Sequence, residues 1–255
     1  MSSTSASPDV SWGASDETEG KAAADRRTQA MTSTVDAPAW EQAWLGGERP
    51  EPATAIILAG GKSRRMGRDK ARLSVAGRPL LESACDVLRS HFDEVIVSVA
   101  AGAGLSHVHA VRTVEDVTPG LGPLGGVYAS LRESSSRVNF VVACDTPHIE
   151  LSLVRRLLAC SPRFDVAAPA FEGREPEPLF AMYTKAACEP ARRLLEGGLL
   201  RMAGLLAACR TQVIQAGRGD WYRNLNTQQD LRRYEKDVAR SLHGDVGGHG
   251  GTRDR

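Results

Sequence analysis

The chain has 255 residues, with 32 lysines and arginines against 31 aspartates and glutamates and a formal net charge of +1 at pH 7. So balanced a charge provides no overall field that would recruit nucleic acid. No apolar run approaches the roughly 20 residues of a membrane span, and the start lacks the apolar core of a secretory signal. The five cysteines form no C-x-x-C pair, which argues against a disulfide framework or structural zinc. We therefore expect a cytoplasmic protein that binds neither nucleic acid nor membrane.

The composition divides the chain into three parts. Residues 1–52 are rich in Ser, Thr, Ala and Asp and show little periodicity, so we expect a disordered N-terminal tail and linker that cannot offset its ordering entropy. Residues from 243 onward are rich in glycine and predict a second disordered tail. Between them, residues 53–242 form the expected folded domain.

Hydrophobic patterning within residues 53–242 predicts alternating strands and helices. Strands are expected at 55–58, 94–100, 110–114, 139–144, 165–169, 178–183 (the antiparallel candidate) and 212–215. Helices are expected from Arg78-Pro79, from about Val127 after a glycine-rich loop, and at 152–160, 186–196, 200–209 and 228–242. Strand and helix alternate through residues 54–170, which predicts a three-layer, Rossmann-like α/β fold with a mostly parallel sheet.

Residues 59–70 follow the first strand and combine paired glycines with a high density of cations. The cations are Lys62, Arg64, Arg65, Arg68 and Lys70. Glycine allows the backbone to approach an anion closely and to point its N–H groups at it, while the cations neutralise charge. Ile56 stands where a Walker A loop needs its first glycine, and Gly60, Gly61 and Gly67 do not fit the Rossmann fingerprint. The loop is therefore predicted to hold phosphate in some other way.

Two aspartates follow further predicted strands. Asp145 ends a strongly apolar strand, and such a carboxylate opposite a phosphate loop is a natural magnesium ligand, although it could instead cap the next segment. Asp116 either contacts nucleotide or metal or caps a turn. Since the carboxyl ends of parallel strands meet at one edge, both should lie near residues 59–70. Without an evident nucleophile–base pair, this combination favours metal-assisted nucleotidyl transfer, with Lys70, a loop arginine and the metal stabilising charge.

The phosphate loop, Leu58-Ala59-Gly60-Gly61-Lys62-Ser63-Arg64-Arg65-Met66-Gly67-Arg68-Asp69-Lys70, resembles the signature of the molybdenum cofactor guanylyltransferases, the MobA family. Five further motifs match in order, and together they cover residues 54–236. They are Gly77-Arg78-Pro79-Leu80, Glu115-Asp116, Gly122-Pro123-Leu124-Gly125-Gly126, Cys144-Asp145-Thr146-Pro147 and Asn224-Leu225-Asn226-Thr227.

The resemblance implies a nucleotide-diphospho-sugar-transferase type of fold and a reaction that transfers GMP from GTP to Mo-molybdopterin, releasing pyrophosphate. It implies Mg²⁺ as cofactor, and it makes molybdoenzymes or their chaperones candidate receivers of the product. The implied GTP-binding residues are Leu58, Ala59, Gly60, Gly61, Lys70, Asp116 and Asp145. The implied catalytic residues are Lys70, Asp145 and Arg65, with Asp145 also the metal ligand and Asn224 and Asn226 the pterin-side candidates.

One position departs from the family pattern, because many members carry Asn where this chain has Ser98, and a hydroxyl makes fewer hydrogen bonds than an amide. Three alternatives remain beside the guanylyltransferase hypothesis. Molybdopterin cytidylyltransferases usually read Leu-Ala-Ala-Gly where this chain has Leu58-Ala59-Gly60-Gly61. Sugar-phosphate nucleotidyltransferases tend to have Gly-x-Gly-Thr-Arg-Leu, unlike Arg65-Met66-Gly67. A non-catalytic nucleotide-binding regulator would be expected to lack Lys70 or Asp145, and both are present.

Overall fold

The computed structural model describes residues 52–60, 74–75, 77–100, 111–116, 120–218, 222, 225 and 228–244, and these belong to one compact unit, Ala37–Arg255. Its strands are β1 (Ala53–Leu58), β2 (Ser74–Val75), β3 (Arg78–Pro79), β4 (Glu94–Val99), β5 (Arg112–Glu115), β6 (Val138–Ala143), β7 (Val166–Ala170), β8 (Phe180–Thr184) and β9 (Thr211–Gln215). Its helices are α1 (Leu80–Arg89), α2 (Gly122–Glu133), α3 (Leu151–Leu158), α4 (Cys188–Glu196), α5 (Met202–Ala208) and α6 (Gln228–Gly244), with a 3-10 turn at Lys185–Ala187.

Seven strands form one sheet in the order β5-β4-β1-β6-β8-β7-β9. The pairs β5–β4, β4–β1, β1–β6 and β7–β9 are parallel, whereas β8 runs antiparallel to both β6 and β7. The prediction of a mostly parallel sheet with an antiparallel strand near residue 180 is therefore confirmed. Strands β5, β4, β1 and β6 all end at the same edge, which is the usual place for ligands in open α/β sheets.

Two apolar cores lie on opposite faces of this sheet because side chains alternate along each strand. Ala55 and Ile57 of β1 pack on one side with apolar residues of α1 and α3. Ile56 and Leu58 pack on the other side with residues of α2, α4 and α5. The result is the predicted three-layer architecture, in which a sheet is covered on both faces by helices.

Two predicted helix starts are wrong. Helix α2 begins at Gly122, several residues before the predicted start near Val127, and Gly126 within it lies close to Ser98 of the sheet. Helix α1 begins at Leu80, since Arg78–Pro79 instead forms strand β3 and pairs antiparallel with β2. The extended conformation that Pro79 adopts before the helix has φ −59° and ψ 132°.

A small third cluster anchors the C-terminal helix. Leu80 and Leu225 are buried against each other, with Val75, Leu231 and Tyr234 packed around them. Helix α6 runs to Gly244, slightly beyond the predicted end at residue 242. The two predicted tails fall almost wholly outside the described residues, so their disorder stays a prediction. Within the described ranges, no helix has both the length and the apolar character needed to cross a bilayer.

Candidate functional site at the carboxyl edge of the sheet

The first predicted nucleotide contacts lie where β1 ends. Ala59 donates its N–H to the carbonyl oxygen of Ser98 at 2.8 Å, and the carbonyl oxygen of Leu58 accepts from the Cys144 N–H at 3.1 Å. Leu58 and Ala59 are buried, while Gly60 is exposed at the sheet edge. A Cβ added to Gly60 would lie 3.0 Å from the backbone nitrogen of Ala100. Glycine here lets the chain leaving β1 pass close to the chain leaving β4, and a larger residue would have to push that neighbour aside by a few tenths of an ångström.

Asp116 lies immediately after β5, on the side of the edge formed by β4 and β5. Its N–H donates to the carbonyl oxygen of Val99 at 2.9 Å, and its Oδ1 accepts a hydrogen bond from the Ser98 hydroxyl at 3.3 Å. Burial raises the pKa of the Asp116 carboxyl above its ordinary value, although the hydrogen bond from Ser98 opposes the shift. The residue as a whole is neither fully buried nor fully exposed.

Asp145 follows β6 in the middle of the edge and is 3% exposed. The chain turns here, with the Thr146 N–H donating to the carbonyl oxygen of Ala143 at 3.1 Å. The carbonyl oxygen of Asp145 accepts a hydrogen bond from the Leu225 N–H at 2.9 Å. Leu225 is the second residue of the Asn-Leu-Asn-Thr motif, so this bond brings two motifs that are far apart in the sequence to one place.

Sequence reasoning missed a second carboxylate near Asp145, that of Glu177. In the antiparallel pair of β6 and β8, Val142 faces Phe180, and the Ala143 N–H donates to the carbonyl oxygen of Leu179 at 3.1 Å. Continuing this register beyond the strands brings Glu177 to the level of Asp145. Burial is the main cause that raises the pKa of Glu177, and the negative charge of Asp145 raises it further. Hydrogen bonds from the Leu179 N–H and Tyr222 act in the opposite direction. The available signal was a carboxylate between two prolines directly before an apolar antiparallel strand.

Tyr222, three residues before Leu225, is packed into the apolar core. It is 3% exposed and stacks on Phe171 with ring centroids 4.8 Å apart and an interplanar angle of 15°. Its ring also meets Phe180 edge-on at 5.6 Å. Aromatic pairs of these geometries add to the stability from burial alone. The Tyr222 ring is therefore anchored between β8 and the residue that follows β7.

Several predicted site residues lie outside the described residues. They are Gly61, Arg65, Lys70, Asn224 and Asn226. Their predicted roles therefore stay predictions, as does the role of the cation-rich part of the phosphate loop. The described members of the predicted site, namely Leu58, Ala59, Gly60, Asp116 and Asp145, all lie at the carboxyl edge of β1, β5 and β6.

This edge offers a nucleotide a backbone turn, a carboxylate on the β5 side and a buried carboxylate at its centre. The chemistry of Asp145 fits Mg²⁺, which prefers oxygen ligands and commonly takes one or two protein carboxylates, with phosphate and water supplying the rest. Among the described residues there is no group of three or more His, Cys, Asp or Glu side chains arranged as a metal cage. Asp145 is the described residue that would hold such a metal at this edge.

The chain is similar in sequence to known nucleotidyltransferases. A family model described as "MobA-like NTP transferase domain" matches residues 55–212. A probable molybdenum cofactor guanylyltransferase of Pelotomaculum thermopropionicum is 41% identical over 133 residues, an alignment that covers 52% of this chain and 64% of the relative. A protein of the same description from Mycobacterium avium is 37% identical over 184 residues, covering 69% of this chain and 92% of that relative.

Among solved structures, the molybdopterin-guanine dinucleotide biosynthesis protein A of Archaeoglobus fulgidus superposes with a TM-score of 0.62 at 22% identity, covering 73% of this chain and 99% of that one. At that identity the likeness establishes the fold. Together with the family match, this fold defines the protein as an α/β nucleotidyltransferase domain. The sequence match places it further: the chain belongs to the MobA-like NTP transferase family, as the motif resemblance predicted.

Proposed function

We propose that this protein transfers GMP from GTP to Mo-molybdopterin, forming the guanine dinucleotide form of the cofactor and pyrophosphate. The observation that carries the proposal is the convergence of the Ala59-Gly60 turn, Asp116 and Asp145 on one sheet edge. The substrates are supported by the names of the relatives, which are probable molybdenum cofactor guanylyltransferases. The turn after β1 would receive the phosphates, and Asp116 would contact the guanosine.

The reaction needs little covalent participation by the protein. A terminal phosphate oxygen of the acceptor attacks the α-phosphorus of GTP, a new P–O bond forms, and the bond to the β-phosphate oxygen breaks to release pyrophosphate. Because a phosphate oxygen is already deprotonated near pH 7, no general base is required. Positioning of the two substrates and stabilisation of the developing negative charge are sufficient.

Asp145 would hold Mg²⁺, which supplies positive charge to the phosphates when it is bound. Lys70 and Arg65, which lie outside the described residues, are proposed to neutralise the remaining phosphate charge. Leu225 holds the backbone of Asp145 through its N–H, so the segment that contains Asn224 and Asn226 is proposed to lie on the acceptor side. Backbone hydrogen bonds to both neighbours of β1 keep this arrangement rigid before the substrates bind.

The decisive experiment is a comparison of nucleotides. Purified protein with Mg²⁺ and Mo-molybdopterin is incubated with GTP, CTP, ATP or UTP, and pyrophosphate release is measured. GTP should give the highest kcat/KM. Faster turnover with CTP would show that the protein is a cytidylyltransferase, and release of pyrophosphate only with a sugar phosphate as acceptor would place it among the sugar nucleotidyltransferases.

A matched pair of aspartate variants tests the metal role. Asp145→Asn should lower kcat by about 10²-fold or more, the loss typical of removing one group that stabilises transition-state charge. Asp165→Asn is the control, because Asp165 precedes β7 at the opposite edge of the sheet, where it pairs with Arg210 at 2.9 Å, and it should keep full activity. Binding of Mn²⁺ with GTP, followed by electron paramagnetic resonance, should weaken only in Asp145→Asn.

We extend the proposal to a cytoplasmic location and to molybdoenzymes or their chaperones as receivers of the product. The location is supported by the cysteines, since Cys85, Cys144 and Cys160 are buried thiols outside any disulfide. Burial raises the pKa of the Cys85 thiol to about 11, so it is protonated and poorly reactive near pH 7. The receivers follow from the chemistry of the product, a finished cofactor that must reach an apoenzyme.

A further inference from the structure

Ser98 and Asp116 form a hydrogen-bonded pair beside the candidate site. Ser98 is 1% exposed and lies near the end of β4, while Asp116 follows β5, the neighbouring parallel strand. The Ser98 hydroxyl donates to Asp116 Oδ1 at 3.3 Å. A serine hydroxyl has a single O–H to donate, and here Asp116 receives it. Ser98 therefore has no second donor to offer a nucleotide.

Gly126 of α2 lies directly against both side chains of this pair. It is a buried residue of α2, and a Cβ added to it would lie 2.7 Å from the Ser98 hydroxyl oxygen and 2.9 Å from Asp116 Oδ1. Real Cβ atoms essentially never approach other atoms so closely, so a side chain at position 126 would force Ser98 or Asp116 to move. Oδ1 of Asp116 thus lies between the Ser98 hydroxyl on β4 and Gly126 of α2. Asp116 as a whole remains partly exposed, and it is Oδ1 that meets Ser98 and Gly126.

We propose that Ser98 and Gly126 are positioning residues that hold the Asp116 carboxylate in one orientation, with one oxygen enclosed and the other presented to the guanosine of GTP. This inference rests on the proposed function and assigns Ser98 an indirect role, through Asp116. An ionised carboxylate only accepts hydrogen bonds. The guanosine offers donors of two kinds, the N1–H and 2-amino groups of the base and the hydroxyls of the ribose.

Holding the carboxylate in advance matters because a side chain that is already ordered loses less conformational freedom when the ligand binds. The hydrogen bond from Ser98 also favours the ionised form of Asp116 against the effect of burial. Loss of the hydroxyl leaves a carboxylate that is both less ordered and less readily ionised. Nucleotide binding should weaken, whereas the chemical step at the phosphates, away from the guanosine that Asp116 is proposed to contact, should keep its rate.

The test is a double-mutant cycle on Ser98 and Asp116 with steady-state kinetics in GTP. Ser98→Ala should raise KM for GTP about tenfold, as expected for a hydrogen bond to a charged group, and leave kcat within about twofold. In an Asp116→Ala background, Ser98→Ala should have no further effect on KM. Additive losses in the cycle would show that Ser98 contacts the nucleotide directly, and an unchanged KM in Ser98→Ala would show that it positions nothing; either result overturns the inference.

Gly126→Ala supplies an independent arm, with Gly204→Ala as the matched control. The added methyl group at Gly126 should raise KM for GTP at least as much as Ser98→Ala does, and the effect should shrink in a Ser98→Ala background, where the 2.7 Å contact is lost. A Cβ on Gly204 would meet only Leu194, at 3.8 Å and beyond, so that variant should bind GTP normally. Equal KM values for GTP in Gly126→Ala and Gly204→Ala would contradict the proposal.

Two nucleotide analogues separate the two kinds of donor. ITP lacks the 2-amino group of guanine and 2′-deoxyGTP lacks one ribose hydroxyl, so each should already have a raised KM if its missing group pairs with Asp116. Ser98→Ala should then leave KM unchanged for that analogue only; a tenfold rise for both analogues would rule out the 2-amino group and the 2′-hydroxyl and assign the partner to N1–H or the 3′-hydroxyl, donors that both analogues keep. The outcomes are distinct from failure of the proposed function, which would appear as preference for another nucleotide in the wild-type protein.

Discussion

Glu94 joins four segments of the chain at the edge of the sheet opposite the candidate site. Its Oε2 accepts hydrogen bonds from the Thr54 hydroxyl at 2.9 Å and from both the N–H and the hydroxyl of Ser135, each at 2.8 Å. Its Oε1 accepts from Arg112 at 3.2 Å. These partners lie on β1, on β5 and on the loop before β6, so one carboxylate ties together the strands that carry the site.

Replacing Glu94 should destabilise the fold by an amount that depends on what the new side chain can accept. Glu94→Gln keeps the shape and one acceptor oxygen but loses the charge and the pair with Arg112, a cost of about 1–2 kcal/mol. Glu94→Ala removes every acceptor. It leaves the hydroxyl of Thr54, which is 0% exposed, without its partner, so its cost should rise to about 3 kcal/mol.

The pH dependence gives the sign of the electrostatic contribution. Burial by itself raises the pKa of Glu94, but hydrogen bonds from Ser135, Thr54 and Arg112 outweigh burial and leave the pKa below its ordinary value of 4.5. A carboxyl whose pKa is lower in the folded state contributes stability that is fully present above the unfolded pKa and is lost as the pH falls through the folded pKa. The advantage of wild type over Glu94→Gln should therefore be complete at pH 7 and shrink below about pH 4.

Urea denaturation at pH 7 and at several values down to pH 3 measures these differences. Glu235→Gln on the exposed side of α6 is the control, and it should match wild type within about 0.5 kcal/mol. Activity per folded molecule should be unchanged in Glu94→Gln, because Glu94 lies at the edge away from Asp116 and Asp145. A Glu94→Gln protein as stable as wild type at pH 7, or a difference that grows toward acid pH, would refute the reasoning.

Three further predictions concern the site and the N-terminal segment. Gly60→Ala should raise KM for GTP several-fold with little change in melting temperature, because its methyl group would lie 3.0 Å from the Ala100 nitrogen and move the turn; an unchanged KM would contradict this. Glu177→Gln should be more stable than wild type at pH 8 and lose that advantage toward acid pH, because burial and then Asp145 raise the pKa of Glu177 and penalise its charged form. Thermal melts across pH measure this difference, and a variant less stable than wild type at pH 8 would contradict the prediction. Deleting residues 1–50 should leave kcat/KM within a few-fold, and a collapse of activity would show that this segment is structural.

The central strands could be predicted because their signals are local. Ala53–Leu58 and Val138–Ala143 are short apolar runs, buried at every position, and each is followed by residues that stop a strand. Parallel strands separated by helices leave their carboxyl ends at one edge. The placement of Asp116 and Asp145 at the same edge as the turn after β1 therefore follows from parallel strand direction alone.

Helix α2 shows where local signals mislead. Glycine has low helix propensity and reads as loop, so the helix was expected to begin only near Val127. In the structure the helix begins at Gly122. Gly126 lies within it, where a residue without a side chain allows close packing on Ser98 and Asp116. Tertiary packing overrides propensity at this position, and a Gly-Gly pair ahead of an apolar helical stretch is a signal for such close packing.

Sequence by itself determined the α/β class, the family and the sheet edge at which we propose that the nucleotide binds, because apolar periodicity, strand direction and ordered motifs are properties of short segments. Tertiary structure alone decided which groups touch there. The pairing of Ser98 with Asp116 under Gly126, the hydrogen bond from Leu225 to Asp145 and the approach of Glu177 all join distant segments. Their contacts depend on strand register and helix packing, which are set by how the whole sheet buries its two faces.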